Sequence, residues 1–95
     1  MPAYLVAMMN VTNPEAYAEY RRLAAPVVQQ YGGRYLARGG SMEVLEGGFP
    51  GARIVLVEFE SVERAKRFYD SPEYRAAREK RLGAADFHML LVEGS

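Results

Sequence analysis

Apolar residues follow one another almost without a break from Tyr4 to Val11, and Thr12-Asn13-Pro14-Glu15 closes the run with turn-forming groups. That length and those flanks predict a strand buried on both faces. Asn13-Pro14-Glu15 then opens a helix, with a reason at each position. The Asn13 side chain caps free backbone N–H groups, Pro14 fits the first turn, and Glu15 sits at the positive end of the helix dipole. Tyr17, Tyr20, Ala24, Val27, Val28 and Tyr31 recur at helical spacing and mark one buried face. Pro26 interrupts that pattern. Its missing N–H leaves the Arg22 carbonyl without a partner, which predicts a kink or a broken last turn between Arg22 and Tyr31. Gly32-Gly33 ends the helix by permitting a left-handed cap.

Arg34 to Glu46 reads as one long strand, with a bulge or sharp bend at Gly39-Gly40. Gly47-Gly48-Phe49-Pro50-Gly51 is a hairpin loop, and Arg53 to Glu60 is the returning strand. Ser61 caps a short helix, Val62 to Tyr69, and Ser71-Pro72-Glu73 starts another that Gly83 ends. Phe87 to Glu93 is the last strand. The order β-α-β-β-α-β, with its second helical segment split, is the ferredoxin-like arrangement of the α+β class, built on a four-stranded antiparallel sheet. In this topology the helices cover one face of the sheet. Leu5 to Met9, Ile54 to Val57 and Met89 to Val92 nevertheless place large apolar groups on both faces. A second copy of the chain, docked as an isologous dimer, would cover the other face.

Composition narrows the chemistry. Ninety-five residues allow one domain, 1–95. Twelve basic and twelve acidic side chains cancel, so there is no electrostatic case for nucleic acid or an anionic membrane. Cysteine is absent, which excludes disulfides, thiolate nucleophiles and Cys-ligated zinc or iron–sulfur clusters. A single histidine, His88, excludes a multi-histidine metal site. No metal and no cofactor is called for. Met1-Pro2-Ala3-Tyr4 has no basic region, and Leu5 to Met9 is too short for a signal peptide. No run approaches the ~18 apolar residues of a membrane span, so a soluble cytoplasmic protein is expected.

Two charges fall inside apolar strands. Arg38 needs a partner there, and a carboxylate or enolate ligand would supply one. Glu58 directly follows Ile54 to Val57, so its carboxylate must be paired, protonated or used as a base. Structural ion pairing of Glu58 with Arg38, Arg53 or Arg81 is the competing account. Because the two strands are joined by a hairpin, Arg38 and Glu58 are expected in one polar cluster at a helix–sheet cavity. Among the tyrosines, Tyr20 and Tyr69 are the preferred ligand contacts, since a ring packed over a sheet must place its hydroxyl somewhere. Arg81 is placed to point inward beside Leu82, while Arg75, Arg78 and Lys80 read as a solvated face. The glycines of Gly32-Gly33 and Gly39-Gly40 follow a helix and enter a strand without a lysine, the wrong setting for a phosphate cradle.

These residues also form a recognisable set. Pro14-Glu15-Ala16-Tyr17 with Tyr20, the stretch Tyr31 to Gly40, Glu46-Gly47 and Val57-Glu58-Phe59 are joined by Ala65, Tyr69 and Ser71-Pro72-Glu73-Tyr74, then Arg78, Arg81 and Val92-Glu93-Gly94. Together they resemble the domain-of-unknown-function family 1330, small proteins of the dimeric α/β-barrel superfamily, over Tyr4 to Gly94. Asn13 stands where the family usually has Asp, and His88 does not match a family position. The resemblance implies a ferredoxin-like protomer whose sheet pairs with a partner's to close a dimeric α/β barrel, and it implies no fixed activity. The sequence therefore leads to a protein that binds or transforms a small organic acid or enolisable carbonyl compound. Glu58 would be the base, Arg38 the oxyanion holder, and Tyr20, Tyr69 and Arg81 the ligand contacts. The alternative is a homodimeric interaction or ligand-binding protein without enzymatic activity.

Overall fold

Residues 1–49 and 51–95 are described by the computed structural model; Pro50, within the expected hairpin loop, lies outside them. The apolar runs become the strands β1 (Ala3–Val11), β2 (Arg34–Arg38), β3 (Arg53–Phe59) and β4 (Ala85–Glu93). Between them lie α1 (Pro14–Gln30), α2 (Val62–Asp70) and α3 (Pro72–Glu79). The strands form one antiparallel sheet in the order β2-β3-β1-β4, as a split β-α-β arrangement requires. None of the described helices is long and apolar enough to cross a membrane.

Register decides which residues meet the helices. Ala3, Leu5, Ala7 and Met9 of β1 are buried, and they stand opposite Phe59, Val57, Val55 and Arg53 of β3. Tyr4, Val6 and Met8 take the other face with Glu58, Leu56 and Ile54 of β3 and with Val92, Leu90 and His88 of β4. The protomer is only 16 Å thick along its shortest axis, one sheet and one layer of helices. Leu90 and Val92 are accordingly 45% and 46% exposed on the uncovered face.

The helix ends follow the sequence signals. Asn13 Oδ1 accepts from the Ala16 N–H, and Ser61 Oγ accepts from the Arg64 N–H. Ser71 serves two helices at once: its hydroxyl donates to the Phe68 carbonyl and accepts from the Tyr74 N–H. Gly32, at φ +79°, and Gly33 donate back to the Gln29 and Val28 carbonyls and close α1.

The structure departs from the sequence expectations in α1 and in β2. The last turn of α1 is not broken, because α1 runs through Pro26 to Gln30; the proline ring lies on the exposed side, where water can serve the Arg22 carbonyl. The strand expected to reach Glu46 stops at Arg38. Gly39, at φ +71°, turns the chain out of the sheet after a last bond from its N–H to the Ile54 carbonyl. Of the bulge or sharp bend expected at Gly39-Gly40, the bend is at Gly39, and a β-bulge lies three residues earlier, at Leu36 between Tyr35 and Ala37.

Candidate functional site

Between α1 and the sheet lies a cavity of about 50 Å³. Its floor is apolar, from Leu5 and Ala7 of β1, Val55 and Val57 of β3 and Met89 of β4. Its walls are aromatic: Tyr17 and Tyr20 from α1, Tyr35 from β2, Phe68 from α2 and Tyr74 from α3. Tyr17 and Tyr20 are 4% and 7% exposed, so the helical stripe seen in the sequence is core and cavity wall together. Deep in the site the Tyr20 and Tyr74 hydroxyls are hydrogen-bonded to each other at 2.8 Å. That volume holds only about three or four waters, so an organic ligand needs the side chains at the rim to move.

Those side chains are arginines. Arg21 on α1, Arg38 on β2 and Arg53 on β3 all line the cavity, and no Asp, Glu or His does among the described residues. Aromatic faces hold all three: the Arg38 guanidinium lies 4.3 Å from the Tyr35 ring centre, and those of Arg21 and Arg53 lie 5.9 and 6.0 Å from that of Tyr17. The Nε of Arg53 is buried without a hydrogen-bond partner. Burial pushes the Tyr17 hydroxyl above its ordinary pKa, against the opposing pull of Arg53. Burial does the same to Tyr20, reinforced by Tyr74, and to Tyr35, opposed by Arg38. At neutral pH the site therefore presents neutral O–H groups and permanent cations, a set that donates hydrogen bonds to an anion.

The sequence candidates divide between locations. Arg38 and Tyr20 reach the cavity. Glu58 does not: it is on the opposite sheet face, where its Oε1 accepts from Arg34 Nη2 at 2.6 Å. The expected Arg38–Glu58 cluster is thus corrected, and the cause is the bulge. In a regular strand Arg34, Leu36 and Arg38 would share a face. With Leu36 left unpaired, Arg34 pairs with Glu58 while Arg38 pairs with Val55 and turns toward α1. Tyr69 lies outside the cavity, in a groove between α2 and β4 with Lys66, Asp70 and Leu91, and Arg78 stacks on its ring at 4.6 Å. Arg81 does point inward, but behind the cavity wall: its guanidinium lies 3.8 Å from the Phe87 ring centre and 5.5 Å from that of Tyr20. His88 is exposed on the open face.

Sequence reasoning missed Arg53 and Arg21 as cavity residues. Arg53 carried a signal: alternation through Arg53, Val55, Val57 and Phe59 places it on the helix-covered face.

Residues 2–95 match the family described as Domain of unknown function (DUF1330). The chain belongs to the DUF1330 family. Among curated proteins, no sequence matches this DUF1330 chain. Solved structures with the same fold do exist. A protein of unknown function from Rhodopseudomonas palustris is 24% identical, with a TM-score of 0.75 over 99% of this chain and 82% of that one. SnoaB, a cofactor-independent oxygenase from Streptomyces nogalater, is 9% identical, with a TM-score of 0.72 over 99% and 93% of the two chains. A dimeric protein of unknown function with a ferredoxin-like fold, from Bacteroides fragilis, is 11% identical, with a TM-score of 0.66 over 98% and 96%. The DUF1330 chain thus has a ferredoxin-like fold, and at these identities the likeness is one of fold.

Proposed function

We propose that this protein is a homodimer that binds a small organic acid, or the enolate of a carbonyl compound, in the cavity between α1 and the sheet. The observation that carries the reading is the convergence of Arg21, Arg38 and Arg53 on an apolar, tyrosine-lined cavity without a lining carboxylate. Cations crowded together repel one another, and an anionic ligand relieves that cost while its apolar body replaces water on the floor. Binding is favoured over proton abstraction by the same inventory. Guanidinium groups do not titrate near neutrality, the tyrosine hydroxyls are held protonated, and Glu58 is committed to Arg34 on the other face. SnoaB supplies a fold precedent for chemistry without a cofactor, but no oxygenase step is taken from it.

The homodimer is supported by the uncovered sheet face, where Val6, Leu56, Ile54 and Leu90 form an apolar surface, and by the dimeric description of the Bacteroides fragilis relative in fold. The test of the ligand reading is a thermal-shift screen of small carboxylic acids, β-dicarbonyl compounds and their neutral amides. Stabilisation confined to the acids and enolates, and reduced in Arg38→Met, is the expected outcome. Hits spread equally over neutral compounds, or confined to cations, would rule the reading out.

A further inference from the structure

Resting on that reading, we infer that Arg53, seated on Gly39, is the residue that grips the acidic group, and that the ligands are planar aromatic carboxylates. Arg53 differs from the other two rim arginines in place and in satisfaction. Arg21 and Arg38 are exposed, whereas Arg53 is part-buried on β3, one of the two inner strands, opposite the fully buried Met9. Its Nε–H is a donor withdrawn from water with nothing to receive it. A donor in that state is costly unless a bound group completes it. Nε–H and an adjacent Nη–H form the fork that matches both oxygens of a carboxylate.

Gly39 explains how the guanidinium fits there. A β-carbon at Gly39 would stand 2.2 Å from Arg53 Nη1 and 2.4 Å from its Cζ, so only a glycine leaves that space free. The φ of +71° independently favours glycine. The Tyr17 ring centre lies 6.0 Å from the same guanidinium, with its hydroxyl neutral and able to add a second donor to a carboxylate. The lining beside this grip is aromatic and apolar, with the rings of Tyr17 and Tyr35 next to Val55 and Val57, and such a lining suits the body of an aromatic acid once the rim arginines move aside.

Benzoate and benzamide are the probes, because they share a shape and differ in charge. Nitrogen–proton spectra of the whole protein resolve arginine Nε–H signals, and the Arg53 signal is identified by its loss in Arg53→Lys. Benzoate is expected to move that signal and benzamide to leave it in place. Arg53→Met should weaken benzoate binding at least tenfold, with Arg38→Met costing less than threefold. Gly39→Asn separates the two roles of the glycine, since asparagine tolerates positive φ yet still carries the obstructing β-carbon. It should displace the Arg53 signal in the free protein and weaken benzoate comparably. If Arg53→Met does not fold, Arg53→Lys reports the same contrast. Benzoate bound equally well after Arg53 replacement, with loss on Arg38 replacement, overturns the inference and leaves the cavity reading standing. Wild-type protein that ignores benzoate but is stabilised by aliphatic acids or enolates in the screen also overturns it, again without touching that reading. Failure of every anion removes both.

Discussion

Tyr20 and Tyr74 show how a cavity wall can also be a structural bond. Their hydroxyls satisfy each other at 2.8 Å in a buried setting, so removing one strands the other. Tyr20→Phe is expected to cost about 1–3 kcal/mol, and Tyr74→Phe a similar amount. The double replacement should cost clearly less than the sum, a coupling that urea unfolding of the four proteins at one protomer concentration measures. At this scale the sequence was legible where periodicity governs. The stripe Tyr17, Tyr20, Ala24, Val27 and Val28 is buried as the helical spacing requires. Arg38 was read as a ligand residue but with the wrong neighbour, because a single bulged residue reverses side-chain facing and leaves no mark in composition. Tyr69 was expected at the cavity because its hydroxyl needs a place, but at the end of α2 it faces the groove beside β4, and Tyr74 of α3 faces the cavity instead.

Ser71 has the same double use among the elements. One hydroxyl accepts from the Tyr74 N–H in the first turn of α3 and donates to the Phe68 carbonyl in the last turn of α2, in a position only 4% exposed. Ser71→Ala is therefore expected to destabilise by about 2 kcal/mol, at the upper end for a helix cap, read from the shift in urea midpoint at constant slope. Caps, prolines and terminal glycines made the helix boundaries legible to within one or two residues, apart from the last turns before Gly83. There the chain leaves α3 after Glu79 and descends through three-residue turns at Lys80, Arg81 and Leu82. The false extension of β2 has a different origin. Residues 41–46 mix apolar and acidic groups as an edge strand would, but Gly39 has already turned the backbone away from β3.

For the whole molecule, two consequences can be measured. Tyr17, Tyr20 and Tyr35 are held above their ordinary pKa of 10.0, chiefly by burial. On alkaline titration the unfolded chain loses these protons first, so stability present below pH 10 falls as pH rises toward the higher folded-state values. Each such tyrosine contributes a slope of up to about 1.4 kcal/mol per pH unit. Urea midpoints measured across that window should fall less steeply for Tyr20→Phe than for the wild type. The second consequence concerns the open sheet face. A dimer through Leu56, Val6 and Leu90 predicts sedimentation at twice the chain mass, and Leu56→Glu should return it to a folded monomer. A wild-type monomer at low micromolar concentration would remove the proposal. Doubly apolar strands made that face visible in the sequence, whereas the cavity's cations come from three separate elements, and only the folded sheet brings them together.

The unpaired Leu36 gives β2 one residue of slack. Deleting it straightens the ladder and leaves Arg38 opposite Val55, still over the cavity. Inserting a residue beside it carries Arg38 one place further, opposite Ile54, and delivers a cation to the sheet face that holds Glu58. In relatives of this chain, one added residue at this point is therefore a relocation of charge between two surfaces, whereas one residue fewer is not, and alignments that scatter the gap along β2 would hide the difference.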